Sequence, residues 1–149
     1  MASFVIEGGH KLHGEITPQG AKNEVLQILC ATLLTPEEVI VNNIPDILDV
    51  NNLITMMQSM GVEVIRLGRG RFSFQATNIN ESYLTSDEFL KLCSSLRGSV
   101  MLMGPILARF GRVLISKPGG DKIGRRRLDT HFVGLMKLGA SFAYNEERG

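Results

Sequence analysis

Long apolar runs, paired cysteines and an excess of either charge are all missing from this 149-residue sequence. No stretch approaches the roughly 20 apolar residues that cross a bilayer, and no charged-then-apolar leader opens the chain, so a cytoplasmic location is the expectation. Cys30 and Cys93 are the only cysteines. They lack the spacing of a metal or redox motif and fall in helix-like apolar stretches, which reads as two reduced, packed thiols. The formal net charge is +1, without the basic excess of a general nucleic-acid or membrane-surface binder. With 44% hydrophobic residues the chain has the material for a packed core, which excludes disorder.

What is present is unevenly placed. Between Lys117 and Arg127 stand five cations (Lys117, Lys122, Arg125, Arg126, Arg127) and one acid, Asp121, in the glycine-loosened run PGGDKIGRRRLD. That is a local site for an anion in an otherwise balanced protein. Upstream, short strands are expected at 4–6 and 12–16. Gly20-Ala21-Lys22-Asn23 then opens a helix through Val25, Leu26, Ile28, Leu29 and Leu33, apolar on nearly every side and therefore expected to be buried. Pro36 ends it, Val39-Ile40-Val41 reads as a strand, and Val50, Leu53, Ile54, Met57 and Met60 mark an amphipathic helix stopped by Gly61. Residues 62–66 and 71–75 form a hairpin around Gly68 and Gly70, with Arg66, Arg69 and Arg71 at a solvated tip.

The second half copies this plan. Arg97-Gly98-Ser99 leads into an apolar helix, Val113-Leu114-Ile115 repeats the first strand 74 positions on, and LMKLG ending at Gly139 repeats MQSMG ending at Gly61, 78 positions on. The later copy is four residues longer, in the loop between its strand and its second helix. Repeat 1 spans about 21–78 and repeat 2 about 95–149, where the return strand for 141–144 is missing, so the sequence reads as the opening part of a longer protein. Units of this kind bury their apolar faces by stacking on copies of themselves. Lys22 and Arg97 occupy matching places at the two helix starts, where unpaired N–H groups and the positive dipole end already favour an anion.

The segments GAKNEVLQILCATLL (20–34), LRGSVMLMGPILARFG (96–111) and PGGDKIGRRRLDTHFVGLMKLGA (118–140) together resemble the UDP-N-acetylglucosamine 1-carboxyvinyltransferase family of enolpyruvyl transferases. The resemblance implies an inside-out α/β barrel, built from repeated α/β units with helices inside and sheets outside, here truncated within the second repeat. It assigns residues 1–20 to a globule completed by a C-terminal half, and 21–149 to an incomplete repeat domain. The implied reaction moves the enolpyruvyl group of phosphoenolpyruvate to the sugar 3-hydroxyl, with no cofactor and no metal. By resemblance, Lys22 and Asn23 contact phosphoenolpyruvate. Arg97 and Arg126 hold its phosphate and carboxylate with the nucleotide-sugar, and Arg126, Arg127, Leu128, Asp129 and Thr130 cradle the uridine diphosphate, with His131 nearby. No nucleic-acid or membrane partner is implied; the missing half of the chain is.

Asp121 stands where most members of that family carry the proton-handling cysteine that fosfomycin alkylates. A carboxyl is a competent general acid but a far poorer nucleophile towards an epoxide, so Asp121 is expected to act as proton donor in a fosfomycin-resistant site. A free Asp titrates near ~3.9; the neighbouring cations push it lower in an open loop and closure over a trianion pushes it higher, giving an acid-shifted pH optimum. Arg127 replaces a usual proline and Thr130 a frequent leucine, both at the uridine end. His10 and His13, three apart in a strand-and-turn region, point to opposite faces and make no metal site. Asp129 is a candidate helix cap as well as a ligand, and the methionines at 56, 57, 60, 101, 103 and 136 are read as core filling. Two rivals stand beside this reading: the sister enzyme acting on 3-phosphoshikimate, and a non-catalytic anion-binding fragment.

Overall fold

The computed structural model describes residues 3–117, 119 and 127–144. Helix α1 (Lys22–Ala31) runs into a 3-10 turn at Thr32–Leu34 and is followed by strand β1 (Glu38–Val41) and helix α2 (Leu48–Ser59). The hairpin β2 (Glu63–Gly68) and β3 (Arg71–Gln75) closes the first repeat. A 3-10 turn at Tyr83–Thr85 precedes helix α3 (Asp87–Ser95). A 3-10 segment at Arg97–Leu102 then continues as α4 (Met103–Phe110), and α5 (Asp129–Lys137) follows after the long loop.

The three strands form one antiparallel sheet in the order β1-β3-β2. The return strand β3 is central, with Val39 opposite Phe74 on one side and Val64 opposite Phe74 on the other. That alternation buries Phe74 against the helices and leaves Ile40 and Ile65 on the outer face. The core gathers Leu29 and Leu33 from the first helical segment, Val50, Leu53, Met56, Met57 and Met60 from α2, Phe89 and Cys93 from α3, and Leu102 and Ile106 from the next helical segment.

Several expectations are met by the coordinates and several are corrected. Gly61 and Gly139 both have left-handed φ, +96° and +98°, and both end the second helix of their repeat. Helix α1 is not enclosed: Ile28 and Leu34 are exposed, and its buried face is Val25, Leu26, Leu29 and Cys30. Residues 4–6 and 12–16 form no strand, and Phe4, Val5, Ile6, Leu12 and Ile16 stand almost wholly exposed. Val113, Leu114 and Ile115 are half-buried yet form no ladder among the described residues. Residues 141–144 lie in no strand and α5 has no buried residue, so Met136 is exposed rather than core. Between α4, residues 113–117, α5 and residues 140–144 lies an apolar cavity of about 720 Å³, the open core of the second repeat.

Helix α3 was not singled out by periodicity, although Ser86 gives its start away: the Ser86 hydroxyl accepts a hydrogen bond from the Phe89 N–H. Asp129, expected as a candidate cap, is instead the first residue of α5 and caps nothing; its carboxylate is taken by Arg127. Arg66 is not wholly at the solvated tip either, since its guanidinium lies over the Phe72 ring at 5.9 Å.

Gly61 carries a specific demand. A Cβ there would sit 2.4 Å from the Asn78 carbonyl oxygen in a backbone conformation that L residues rarely adopt. Gly61→Ala is expected to lower unfolding free energy by about 2–4 kcal/mol in urea titrations.

Candidate functional site

The helices of the two repeats lie side by side and run the same way. Near their starts, Gly98 approaches Leu26 so closely that a Cβ on Gly98 would be 3.0 Å from Leu26 Cδ1. Near their ends, Arg109 donates a hydrogen bond from Nη1 to the Leu33 carbonyl at 3.1 Å. Contacts start-to-start and end-to-end mean a parallel pair. Lys22, one turn before Leu26 on the same face of α1, and Arg97, next to Gly98, therefore stand at one end of it. Two helix starts face the same way with a cation on each.

Lys22 is paired. Its ammonium meets the Asp49 carboxylate in the first turn of α2, with the two side chains 45% and 37% exposed. Such a half-exposed pair adds at most about 1 kcal/mol to stability. Its placement is set by the six-residue β1–α2 loop. Asn43 adopts a left-handed φ of +58°, and its carbonyl lies where a Cβ on Gly20 would be, 2.0 Å away. On the other side the Ile44 N–H donates to the Gly70 carbonyl at 2.9 Å. Asn51 Nδ2 donates to Asp46 Oδ1 at 2.8 Å across the loop's exit. Glycines of the GAKN segment and of the hairpin tip thus clamp the loop that delivers Asp49. Asp49 was not identified from sequence.

The stem of the long loop leaves from beside Arg97. Ser116 Oγ donates to the Leu90 carbonyl at 2.6 Å, and Gly119 lies so tightly on the carbonyl of Ser94 that no side chain fits there. Ser99 Oγ donates to the Cys93 carbonyl at 2.8 Å, so the end of α3 joins the stem to the Arg97 segment. Asp121 and Arg126, the expected proton donor and anion clamp, lie outside the described residues. Arg127, Asp129, Thr130 and His131 are exposed at the start of α5, with Leu128 half-buried beside the apolar cavity. Arg127 spends its Nε on Asp129. The structure brings Lys22 and Arg97 to one end of the helix pair. Asn23 is exposed beside Lys22.

No group of three metal-binding side chains occurs among the described residues, and no helix there is long and apolar enough to cross a membrane. The two thiols are sealed in. Desolvation pushes Cys30 up to about 12, with Cys93 nearby adding to the rise; desolvation pushes Cys93 up to about 12 as well, against a lowering contribution from Ser99.

The chain belongs to the EPSP synthase (3-phosphoshikimate 1-carboxyvinyltransferase) family, which it matches over residues 6–149. Within that family it is 74% identical over 148 residues to the UDP-N-acetylglucosamine 1-carboxyvinyltransferase of Bacteroides fragilis, covering 99% of this chain and 34% of that protein. The protein of the same description from Porphyromonas gingivalis is 60% identical over 147 residues, again 34% of its length. The chain thus spans about a third of the relatives it matches. Among solved structures, the enolpyruvyl transferase NikO from Streptomyces tendae superposes with a TM-score of 0.56 over 70% of this chain and 23% of NikO; at 21% identity this shows a shared fold.

The thiols give a direct check on the packing. In the native chain at neutral pH, Ellman's reagent is expected to label neither Cys30 nor Cys93 within minutes, and both after denaturation. Because both folded values are raised, the stability that protonated thiols contribute is complete below the ordinary thiol pKa. It is lost as pH climbs from there towards about 12, so the urea midpoint is expected to fall across that alkaline window.

Proposed function

We propose that this chain forms the N-terminal third of an enzyme that transfers the enolpyruvyl group of phosphoenolpyruvate to the 3-hydroxyl of UDP-N-acetylglucosamine. The reading is carried by one observation above the others: two parallel helices present Lys22 and Arg97 at a common end. The high identity to proteins named for this reaction selects the nucleotide-sugar as acceptor over 3-phosphoshikimate. In the whole enzyme the repeats complete an inside-out barrel, residues 1–20 join the opposite globule, and the site is cytoplasmic and needs no metal or cofactor.

In this reading Lys22 and Asn23 contact phosphoenolpyruvate, and Arg97 with Arg126 neutralises its phosphate and carboxylate in bidentate fashion. Residues 126–130, with His131 beside them, take the uridine diphosphate. Asp121 protonates the methylene carbon, which leaves C2 open to the sugar hydroxyl oxygen as a base from the remaining two thirds takes the hydroxyl proton. Loss of a methyl proton and of inorganic phosphate then restores the double bond. Isolated residues 1–149 have no turnover and bind the nucleotide-sugar weakly, because the rest of the site is built by the remaining two thirds.

A hybrid enzyme tests this, with residues 1–149 replacing the matching third of the Bacteroides fragilis protein. Phosphate release from phosphoenolpyruvate is expected with UDP-N-acetylglucosamine and absent with 3-phosphoshikimate. Asp121→Asn is expected to lower kcat by about 100-fold or more, the scale of a lost general acid. Fosfomycin is expected to leave the hybrid active and to inactivate its Asp121→Cys variant covalently. Rapid inactivation of the parent hybrid, or turnover with 3-phosphoshikimate alone, contradicts the proposal.

A further inference from the structure

We infer that Asp49 is a positioning residue for the transfer, holding the Lys22 ammonium over the shared helix end before substrate arrives; this rests on the role proposed for Lys22. The two cations differ in stiffness. A guanidinium is planar and rigid and carries its donors in a fixed fork, whereas a lysine ammonium sits on a flexible four-carbon stem. A lysine needs a partner to hold it at one point. Lys22 has one, and that partner comes from another element, α2, not from its own helix.

Asp49 is itself fixed from both sides. Its neighbour Val50 and Leu53 one turn on are wholly buried, which anchors the first turn of α2 in the core. The loop before it is clamped by Gly20 against Asn43 and by the Ile44–Gly70 hydrogen bond. Asn43 keeps a left-handed backbone to make this fit, an uncommon state for a residue with a side chain. An ammonium has three donors, and Asp49 occupies one direction. With the lysine side chain 45% exposed, the others remain open to an arriving anion.

The second repeat shows the contrast. The residue 78 positions after Asp49 is Arg127, and it pairs with Asp129 two positions along. There the acid–base pair is local and ties nothing together across elements. In the first repeat the pair spans α1 and α2, so it fixes a side chain relative to the rest of the site. Since preorganised charge acts without reorganisation during reaction, loss of the tether is felt in the rate.

The test uses the hybrid enzyme and four variants: Asp49→Ala, Asp49→Glu, Lys22→Ala, and Lys22→Ala with Asp49→Ala. Asp49→Ala is expected to lower kcat/KM for phosphoenolpyruvate at least 10-fold, mainly through kcat, with KM for UDP-N-acetylglucosamine and the melting temperature nearly unchanged. Asp49→Glu is expected to recover much of the loss. In the Lys22→Ala background the Asp49→Ala change is expected to alter kcat/KM less than 2-fold, because the acid acts through the lysine. An Asp49→Ala enzyme within 2-fold of the parent, or one losing as much in the Lys22→Ala background, overturns the inference while leaving the proposed function standing. A Lys22→Ala enzyme as active as the parent removes the role assigned to Lys22, and this inference with it.

Discussion

The arrangement depends on the parallel packing of the two repeats' first helices. An antiparallel pair would send Lys22 and Arg97 to opposite ends and split the positive field in two. The parallel pair is allowed by a residue with no side chain, Gly98, where Leu26 fills the space a Cβ would need. It is fastened at the far end by Arg109 on the Leu33 carbonyl. That common end brings together two helix starts and two cations of different stiffness.

Around this end the chain uses short, heavily constrained connections. The β1–α2 loop is wedged between glycines 20 and 70 and presents an acid to Lys22. Its counterpart in the second repeat is longer and is tied down at its stem by Ser116 on Leu90 and by Gly119 on Ser94. The same element of the repeat thus serves two purposes. One copy is a rigid strut; the other carries the acid and arginines of the PGGDKIGRRRLD run beyond a fixed base.

Much of the first repeat was legible in the sequence because its signals are local. The 3.6-residue spacing of Val50, Leu53, Met57 and Met60, the left-handed Gly61 and the Gly68–Gly70 hairpin are each decided within a few residues. The self-similarity at 74–78 positions exposed the longer second loop, and with it the loop-borne half of the candidate site. Strands were less legible, because a strand exists by its partner. Val113-Leu114-Ile115 has the composition of β1 and forms no ladder among the described residues. Helix α3 is marked in the sequence only by the helix-like stretch around Cys93, because its capping serine precedes charged residues rather than an apolar run. Asp49 was invisible for another reason. Its meaning lies in a cross-element contact that the folded loop creates and that no spacing in the sequence announces.

The central claim is that Lys22 and Arg97 act on one anion. The most direct measurement is a crystal structure of the hybrid enzyme with UDP-N-acetylglucosamine and inorganic phosphate. The account predicts an anion whose oxygens lie within roughly 3 Å of both the Lys22 ammonium and the Arg97 guanidinium, over the shared helix end. An anion bound by one of these cations with the other turned into a separate region would contradict it.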